Sequence, residues 1–211
     1  MPMSIRELFR GVGLNVAGIA GYGSPVREGR PGVYVVANTA DVDTCAGCGF
    51  QPTLSMDRIA EWIRRVPAMH LAGSPQQPAP EALRMRLLEF WLPDEPVLYI
   101  GKAGTTAPSY RSIKDRVADL YDHVLGDRRP HRGGHWLKTL GDLDRKFIFW
   151  GVVTDGRSPD QVESEMLAHF VSGVSPNSKA ALRDRLRPFP WADLEHPKGN
   201  RKNHGILNQT L

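Results

Sequence analysis

Cysteine is almost missing from this chain. The 211 residues contain two, Cys45 and Cys48, too few for a disulfide-stapled scaffold. Long apolar runs are missing too. No stretch approaches the roughly 20 residues that a membrane-spanning helix needs. The opening "MPMSIRELFRGVGL" carries an early glutamate and no extended apolar segment, so it does not read as a secretory signal and the expected location is cytoplasmic. Internal repeats and long low-complexity tracts are also lacking, which argues against solenoids and disordered arrays. What is present is an ordinary globular balance, 41% hydrophobic and 24% charged. That length and balance suit one domain with a sizeable core, or one domain carrying a large insertion.

The formal net charge is +4, which mildly favours an anionic partner. Its distribution says more. Between Ser178 and His204 seven Lys/Arg stand against three Asp/Glu, and "GDRRPHRGGHWLK" gathers Arg128, Arg129, Arg132 and Lys138 beside His131 and His135. The two cysteines form C-x-x-C in "DTCAGCGF", a spacing shared by half zinc sites and redox pairs. A closed zinc site needs two more ligands, and only a distant histidine such as His70 offers one. A thioredoxin-like site needs a βαβ context that the flanking sequence lacks. The remaining reading is two reduced thiols in a glycine-containing loop.

"RPGVYVVANT" reads as a strand over Val33–Ala37 with Tyr34 inside it. About 60 residues later "PVLYIGKAG" repeats the pattern: Val97 to Ile100 form a strand, and Gly101 starts the turn that ends it, with Lys102 in that turn. Between them lie the cysteine loop, a helix near Ser55–Val66, a proline-rich linker at Ser74–Pro80, and a helix from Pro80 to Trp91 with Leu83, Leu87 and Trp91 on one stripe. A helix over Tyr110–Val124 follows, with Ile113, Val117, Leu120, Tyr121 and Val124 apolar. Then come the basic loop, a strand over Lys146–Val153, and a helix that starts at Ser158-Pro159-Asp160 and reaches Val171. The tail from Pro188 reads as irregular and basic. This order predicts an α+β fold with a small mixed or antiparallel sheet flanked by helices.

One residue breaks the last helix's pattern. At about 100° per residue, with Val162 at zero, Met166 falls at about 40°, Phe170 at about 80° and Leu167 at about 140°. Glu163 falls at about 100°, inside that apolar arc, whereas Glu165 lies at about 300° on the solvent side with Asp160 and Gln161 near it. A carboxylate on a core-facing stripe is costly unless paired or bound to a metal. Glu163 is therefore either a buried salt-bridge or cap partner, or a metal ligand beneath a cleft. Arg116 stands at the edge of its helix's apolar face, where it either lays its stem over the core or opens onto the same cleft, while Arg111 points to solvent.

Two strand tyrosines, a lysine, an arginine and a misplaced glutamate, in this order, resemble the GIY-YIG nuclease family. Gly32-Val33-Tyr34 reads as the first motif, with valine for isoleucine, and Tyr99-Ile100-Gly101 as an intact second. Arg116 matches the family's helical arginine, and Glu163, in Val162-Glu163-Ser164-Glu165-Met166-Leu167, its metal-binding glutamate. "HRGGHWLKTL" followed by "FIFWGVV" is similar to the corresponding segment of restriction-enzyme-like and phage-like members. The resemblance covers about residues 31–170. It divides the chain into an N-terminal extension (1–30), a nuclease core (31–175) and a basic C-terminal extension of the same domain (176–211). The two tyrosines stand 65 positions apart, far more than in the family, which implies an insertion at about residues 38–95.

The resemblance implies a DNA endonuclease that hydrolyses phosphodiester bonds with Mg²⁺ or Mn²⁺. Glu163 would hold the metal, Arg116 the phosphate oxygens, and Tyr34 would accept the water's proton. Tyr99 would orient Tyr34 or donate to phosphate, and Lys102 would lower the Tyr34 pKa or bind phosphate. Some members place His or Tyr four residues after the arginine; position 120 is leucine here, leaving Tyr121, His123 or Lys102 for that work. The family's later asparagine is matched by Asn177, by Asn203, or by Asp193 in its place. Arg132, His135, Lys138, Arg201 and Lys202 are the expected DNA-backbone contacts, and Trp136 reads as core rather than a stacking platform. A restriction-type enzyme is favoured over a repair or mobile-element nuclease, and a palindrome cutter would be a homodimer. The readings outside catalysis are a nucleic-acid-binding protein whose motif residues are purely structural, and a zinc-stabilised interaction module.

Overall fold

The structure, a computed structural model, describes residues 2–47, 49, 51–104, 111–127, 134–182, 188–193 and 204–207. Its elements in chain order are α1 (Ile5–Arg10), β1 (Gly18–Gly21), β2 (Gly32–Ala37), α2 (Met56–Arg65), β3 (His70–Leu71), α3 (Pro80–Leu88), β4 (Val97–Ala103), α4 (Ile113–Asp122), α5 (Gly134–Lys138), β5 (Phe147–Val152), α6 (Pro159–Gly173), α7 (Pro176–Ala181) and β6 (Ile206–Leu207). The class is α+β: a small antiparallel sheet ordered β1-β5-β2-β4, flanked by helices, with β3 and β6 forming a separate two-stranded ribbon. Among the described residues no helix is long and apolar enough to cross a membrane.

Helix starts follow local chemistry. Ser55, Ser112 and Ser158 each accept a hydrogen bond from the backbone N–H three residues on, and Ser112 forms a reciprocal capping box with Asp115. Strand β2 is central and buried on both faces, so its alternation divides two cores. Tyr34 and Val36 join Ile113, Val117 and Leu120 of α4, together with Trp62, Trp136 and Trp191. On the other face Val33 and Val35 join Val162, Met166, Leu167 and Phe170 of α6 and Ile5, Leu8 and Phe9 of α1. At Gly32 β2 lies close against β5: a Cβ there would fall 2.1 Å from the Gly151 carbonyl oxygen.

Several expectations change. The N-terminal extension contributes to the core: α1, held by the Ser4–Glu7 capping box, packs under the sheet, and β1 is its fourth strand. Strand β4 continues through Gly101 and Lys102 to Ala103, because both pair with β2, so Lys102 is a strand residue and not part of a turn. Helix α3 stops at Leu88, although Trp91 is still buried. Helix α4 stops at Asp122, which leaves Val124 38% exposed instead of in the apolar face. The end of the basic loop, Gly134 to Lys138, is the helix α5, with His135, Trp136 and Leu137 fully buried.

Strand β4 is one edge of the sheet, and its free backbone is covered, as exposed edges usually are. Ala192 N–H donates to the Leu98 carbonyl (2.8 Å), the Asp193 carboxylate accepts from Ile100 N–H (2.9 Å), and Arg116 Nε donates to the Lys102 carbonyl (3.4 Å).

Candidate functional site

The residues singled out in the sequence meet along this edge. In the β2–β4 ladder Tyr34 pairs with Gly101, Val36 with Tyr99 and Val33 with Lys102. Directly opposed residues share a face, so Tyr34 and Tyr99 lie together on the α4 side, ring centroids 6.0 Å apart. Lys102 points to the α6 side. Gly101 makes the tyrosine pair possible: a Cβ at this position would fall 2.6 Å from Tyr34 Cζ, 2.6 Å from Tyr99 Cε1 and 2.7 Å from Tyr34 Oη. The Tyr34 ring is fully buried and the partly buried Tyr99 ring packs against it, so Tyr34 has little room to retreat. Gly101→Ala is therefore expected to destabilise the fold by about 1–3 kcal/mol, read as a lower denaturant midpoint with an unchanged m-value. Unaltered stability would show that the rings move aside freely.

Tyr34 is fully buried. Desolvation pushes its phenol pKa well above the ordinary value; the Arg116 charge opposes this, Glu163 adds to it, the Tyr99 hydrogen bond opposes it and Asp193 adds to it. Tyr99 is raised as well, by burial first and then by Tyr34, Asp193 and Glu163. Both are neutral phenols at pH 7. Arg116 from α4 is the cation that draws the Tyr34 pKa back down, while Lys102 lies across the pleat, paired with Glu163.

Lys102 Nζ lies 2.8 Å from Glu163 Oε2 and 2.8 Å from Asp160 Oδ1. Burial disfavours its ammonium, but the Glu163 and Asp160 carboxylates outweigh that and hold its pKa above the ordinary value. Glu163 is thus the salt-bridged, largely buried carboxylate that its place on the helix anticipated. Asp160 is a correction. Three residues back along the helix is only about 60° round from Glu163, so Asp160 shares its side, and the i, i+3 spacing was the signal that marked it. Glu165 does lie apart, against Arg157. Arg116 is partly exposed, with Nη1 3.2 Å from Asp119 Oδ2; the other Asp119 oxygen takes Arg111 Nη1 at 3.0 Å. Asp119 was not anticipated from the sequence.

Of the three positions suggested for a later polar partner, Asp193 reaches the site, buried at the β4 edge and near enough for its charge to act on both tyrosines. Asn177 does not; its amide donates to Asp94 Oδ1 (2.8 Å) at the start of α7. Asn203 lies outside the described residues, as do Arg132, Arg201, Lys202 and Cys48. Tyr121 meets Tyr22 edge-on, centroids 5.0 Å apart, and burial pushes its phenol up to about 12. His123 is buried against His135, with Nε2 3.0 Å from His135 Nδ1.

One expected DNA contact does not face solvent: His135 is fully buried and stacked on Trp62 (centroids 5.1 Å) because α5 turns it into the core. Lys138 is partly buried and donates from Nζ to the Tyr121 carbonyl (2.6 Å). Trp136 is core, as its sequence setting suggested. Cys45 is a free thiol, and His70 sits on β3 with Nδ1 3.2 Å from the Ala68 carbonyl. Among the described residues no group of three or more His, Cys, Asp or Glu side chains is placed to hold a metal ion.

The edge of β4 therefore carries the Arg116 guanidinium, the Lys102 ammonium, the Asp160 and Glu163 carboxylates one helical turn apart, the buried Asp193 carboxylate, and the phenols of Tyr34, fully buried, and Tyr99, partly buried. That set suits an anionic, phosphate-like group at Arg116 and Lys102 and a hard cation at the carboxylates. Compared with protein families, characterised proteins and solved structures, the chain finds no match.

Proposed function

We propose that the chain is a metal-dependent DNA endonuclease of the GIY-YIG type. One observation carries this reading: Tyr34, Tyr99, Lys102, Arg116 and Glu163, drawn from four elements and spread over 129 positions, converge on one sheet edge in the order the resemblance requires. On this reading the segment between β2 and β4 is an insertion in the core hairpin, and the enzyme is a restriction-type nuclease. Repair and mobile-element nucleases share the same chemistry.

The donor set fits Mg²⁺ or Mn²⁺, which take one or two protein carboxylates and complete their shell with water and phosphate. Lys102 Nζ already stands as a cation between Asp160 and Glu163, so these oxygens are arranged for positive charge. Glu163 would hold the metal, which when bound supplies Lewis-acid stabilisation of the leaving oxygen. Arg116 grips the non-bridging phosphate oxygens, its planar fork matched to them. As the water attacks phosphorus and the ester oxygen leaves, Tyr34 takes the water's proton. The burial that raises Tyr34 argues against a standing phenolate, so Tyr34 acts as a relay. As it takes the water's proton it passes its own through its hydrogen-bonded neighbour Tyr99, which is partly exposed, to solvent, and the leaving oxygen takes up a proton from solvent. Arg116 favours the phenolate character that develops.

A second reading, nucleic-acid binding without catalysis, is favoured by Lys102 being ion-paired with both carboxylates. Incubation of the full chain with supercoiled plasmid separates the two. Nicked and linear products with Mg²⁺ or Mn²⁺, none with EDTA, and activity co-eluting with the protein are expected. Salt-sensitive binding with no cutting in either metal would overturn the nuclease reading in favour of the second.

A further inference from the structure

A lysine lying between two carboxylates occupies the place a divalent ion would take. Lys102 reaches this position from β4, an edge strand, and Asp160 and Glu163 reach it from the first two turns of α6, packed on the same face of the sheet. Both contacts are 2.8 Å, while the lysine side chain keeps 27% of its exposure and Asp160 54%. The ammonium is therefore held by two ion pairs and is still close to water, so it can swing out without breaking a packed core. Its flexible stem and single compact charge suit this better than an arginine fork would.

We infer that Lys102 is a built-in occupant of the divalent-cation site, competing with the metal for Asp160 and Glu163, and that Asp160 is the second protein ligand of that ion. The inference rests on the reading of Glu163 as the metal ligand. It has two consequences. The free protein holds metal weakly, because each ion that binds must first displace an internal cation. Once displaced, the Lys102 ammonium is available to a phosphate at the β4 edge, where Arg116 already stands.

Manganese binding tests this without reference to cutting. Free Mn²⁺ is followed by electron paramagnetic resonance as the full chain is titrated without DNA. Lys102→Met is expected to bind one Mn²⁺ about tenfold more tightly than wild type, the advantage that two partly exposed ion pairs of ordinary strength withhold. Adding Asp160→Asn or Glu163→Gln to Lys102→Met should abolish that gain. Arg116→Met controls for the field of a nearby charge and should bind like wild type. Equal affinity of Lys102→Met and wild type overturns the inference. So does an Arg116→Met gain as large as that of Lys102→Met, and an undiminished gain with Asp160→Asn removes Asp160 as a ligand. Should Lys102→Met fail to fold, Lys102→Gln serves in its place, with Mn²⁺ raising its melting temperature but not that of wild type. Metal-dependent cleavage by wild type alongside an unchanged Lys102→Met affinity overturns only the competition. Tighter Mn²⁺ binding with no cleavage overturns only the nuclease reading.

Discussion

Glu163→Gln is expected to lower metal-dependent plasmid cleavage by about a thousandfold or more while the protein stays folded. The size follows from what the carboxylate would supply. Losing a single preorganised donor at a developing charge costs about 10²–10³ in rate, and Glu163 would hold an ion that stabilises the leaving oxygen. The glutamine is isosteric and can still accept a hydrogen bond from Lys102, whose other partner, Asp160, remains. Partly exposed pairs of this kind contribute about 1 kcal/mol or less, which in a chain of this size moves the melting temperature by about 2–4 °C. Initial rates at saturating metal, set beside thermal melts of both proteins, make the comparison. Cleavage within tenfold of wild type would remove Glu163 from the site and leave it a salt-bridge partner of Lys102.

The second large effect is on stability and comes from the far side of the same core. His123 and His135 are both buried, and desolvation is the main cause of their low basicity, bringing His123 down to about 4 and His135 to about 3. Asp127 raises the former slightly and Lys138 lowers it; His123 lowers the latter. The folded chain keeps both rings neutral while the unfolded chain protonates them near pH 6.5, so the unfolded state binds more protons and stability rises with pH. The contribution is fully present above pH 6.5 and is lost as pH falls towards the folded values. Each ring contributes a slope of up to about 1.4 kcal/mol per pH unit. Between pH 6.5 and 5 the pair together costs a few kcal/mol, a large part of a typical total of about 5–15 kcal/mol. Urea midpoints at pH 7.0, 6.0 and 5.2 should fall steeply, and His123→Gln should flatten the slope by about one proton. Imidazole NMR offers a direct check. Two of the chain's seven histidines should show no titration above pH 5, and ordinary titration of all the rings would sink the prediction.

Much of this arrangement was legible beforehand because it depends on neighbours in the chain. Ser55, Ser112 and Ser158 announce their helices by capping them. The alternation around Tyr34 and Tyr99 marks strands, and the wheel through Val162, Met166 and Phe170 exposes Glu163 as a carboxylate needing a partner. Other features were hidden because their cause is distant. Residues 18–21 carry a weak strand pattern and become β1 only because β5 offers them a partner. "GGHWLK" reads as part of a basic loop, yet the apolar bulk of Trp136 and Leu137, and the stack of His135 on Trp62, draw those three side chains inside. Asp160 and Glu163 share a helix side by local geometry, but that Lys102 is what faces them follows from the pairing of Val33 with Lys102 and from the packing of α6 on that face. Asp193 reaches Ile100 from 93 positions away, a contact that no periodicity records.

By itself, then, the sequence determined the α+β class, the two tyrosine strands, the helices carrying Arg116 and Glu163, and the need of Glu163 for a partner. These are governed by backbone propensity, capping and the 2.0 and 3.6 residue periods, all of which act over a few residues. The tertiary structure alone decided that β4 is an edge, that Lys102 and Tyr34 lie on opposite faces, that Arg116 stands near enough to draw the Tyr34 pKa down, and that His135 turns inward. Those outcomes depend on strand order, register and which helix covers which face. Such choices are settled by burying apolar surface across the whole chain, and no short window of residues contains them.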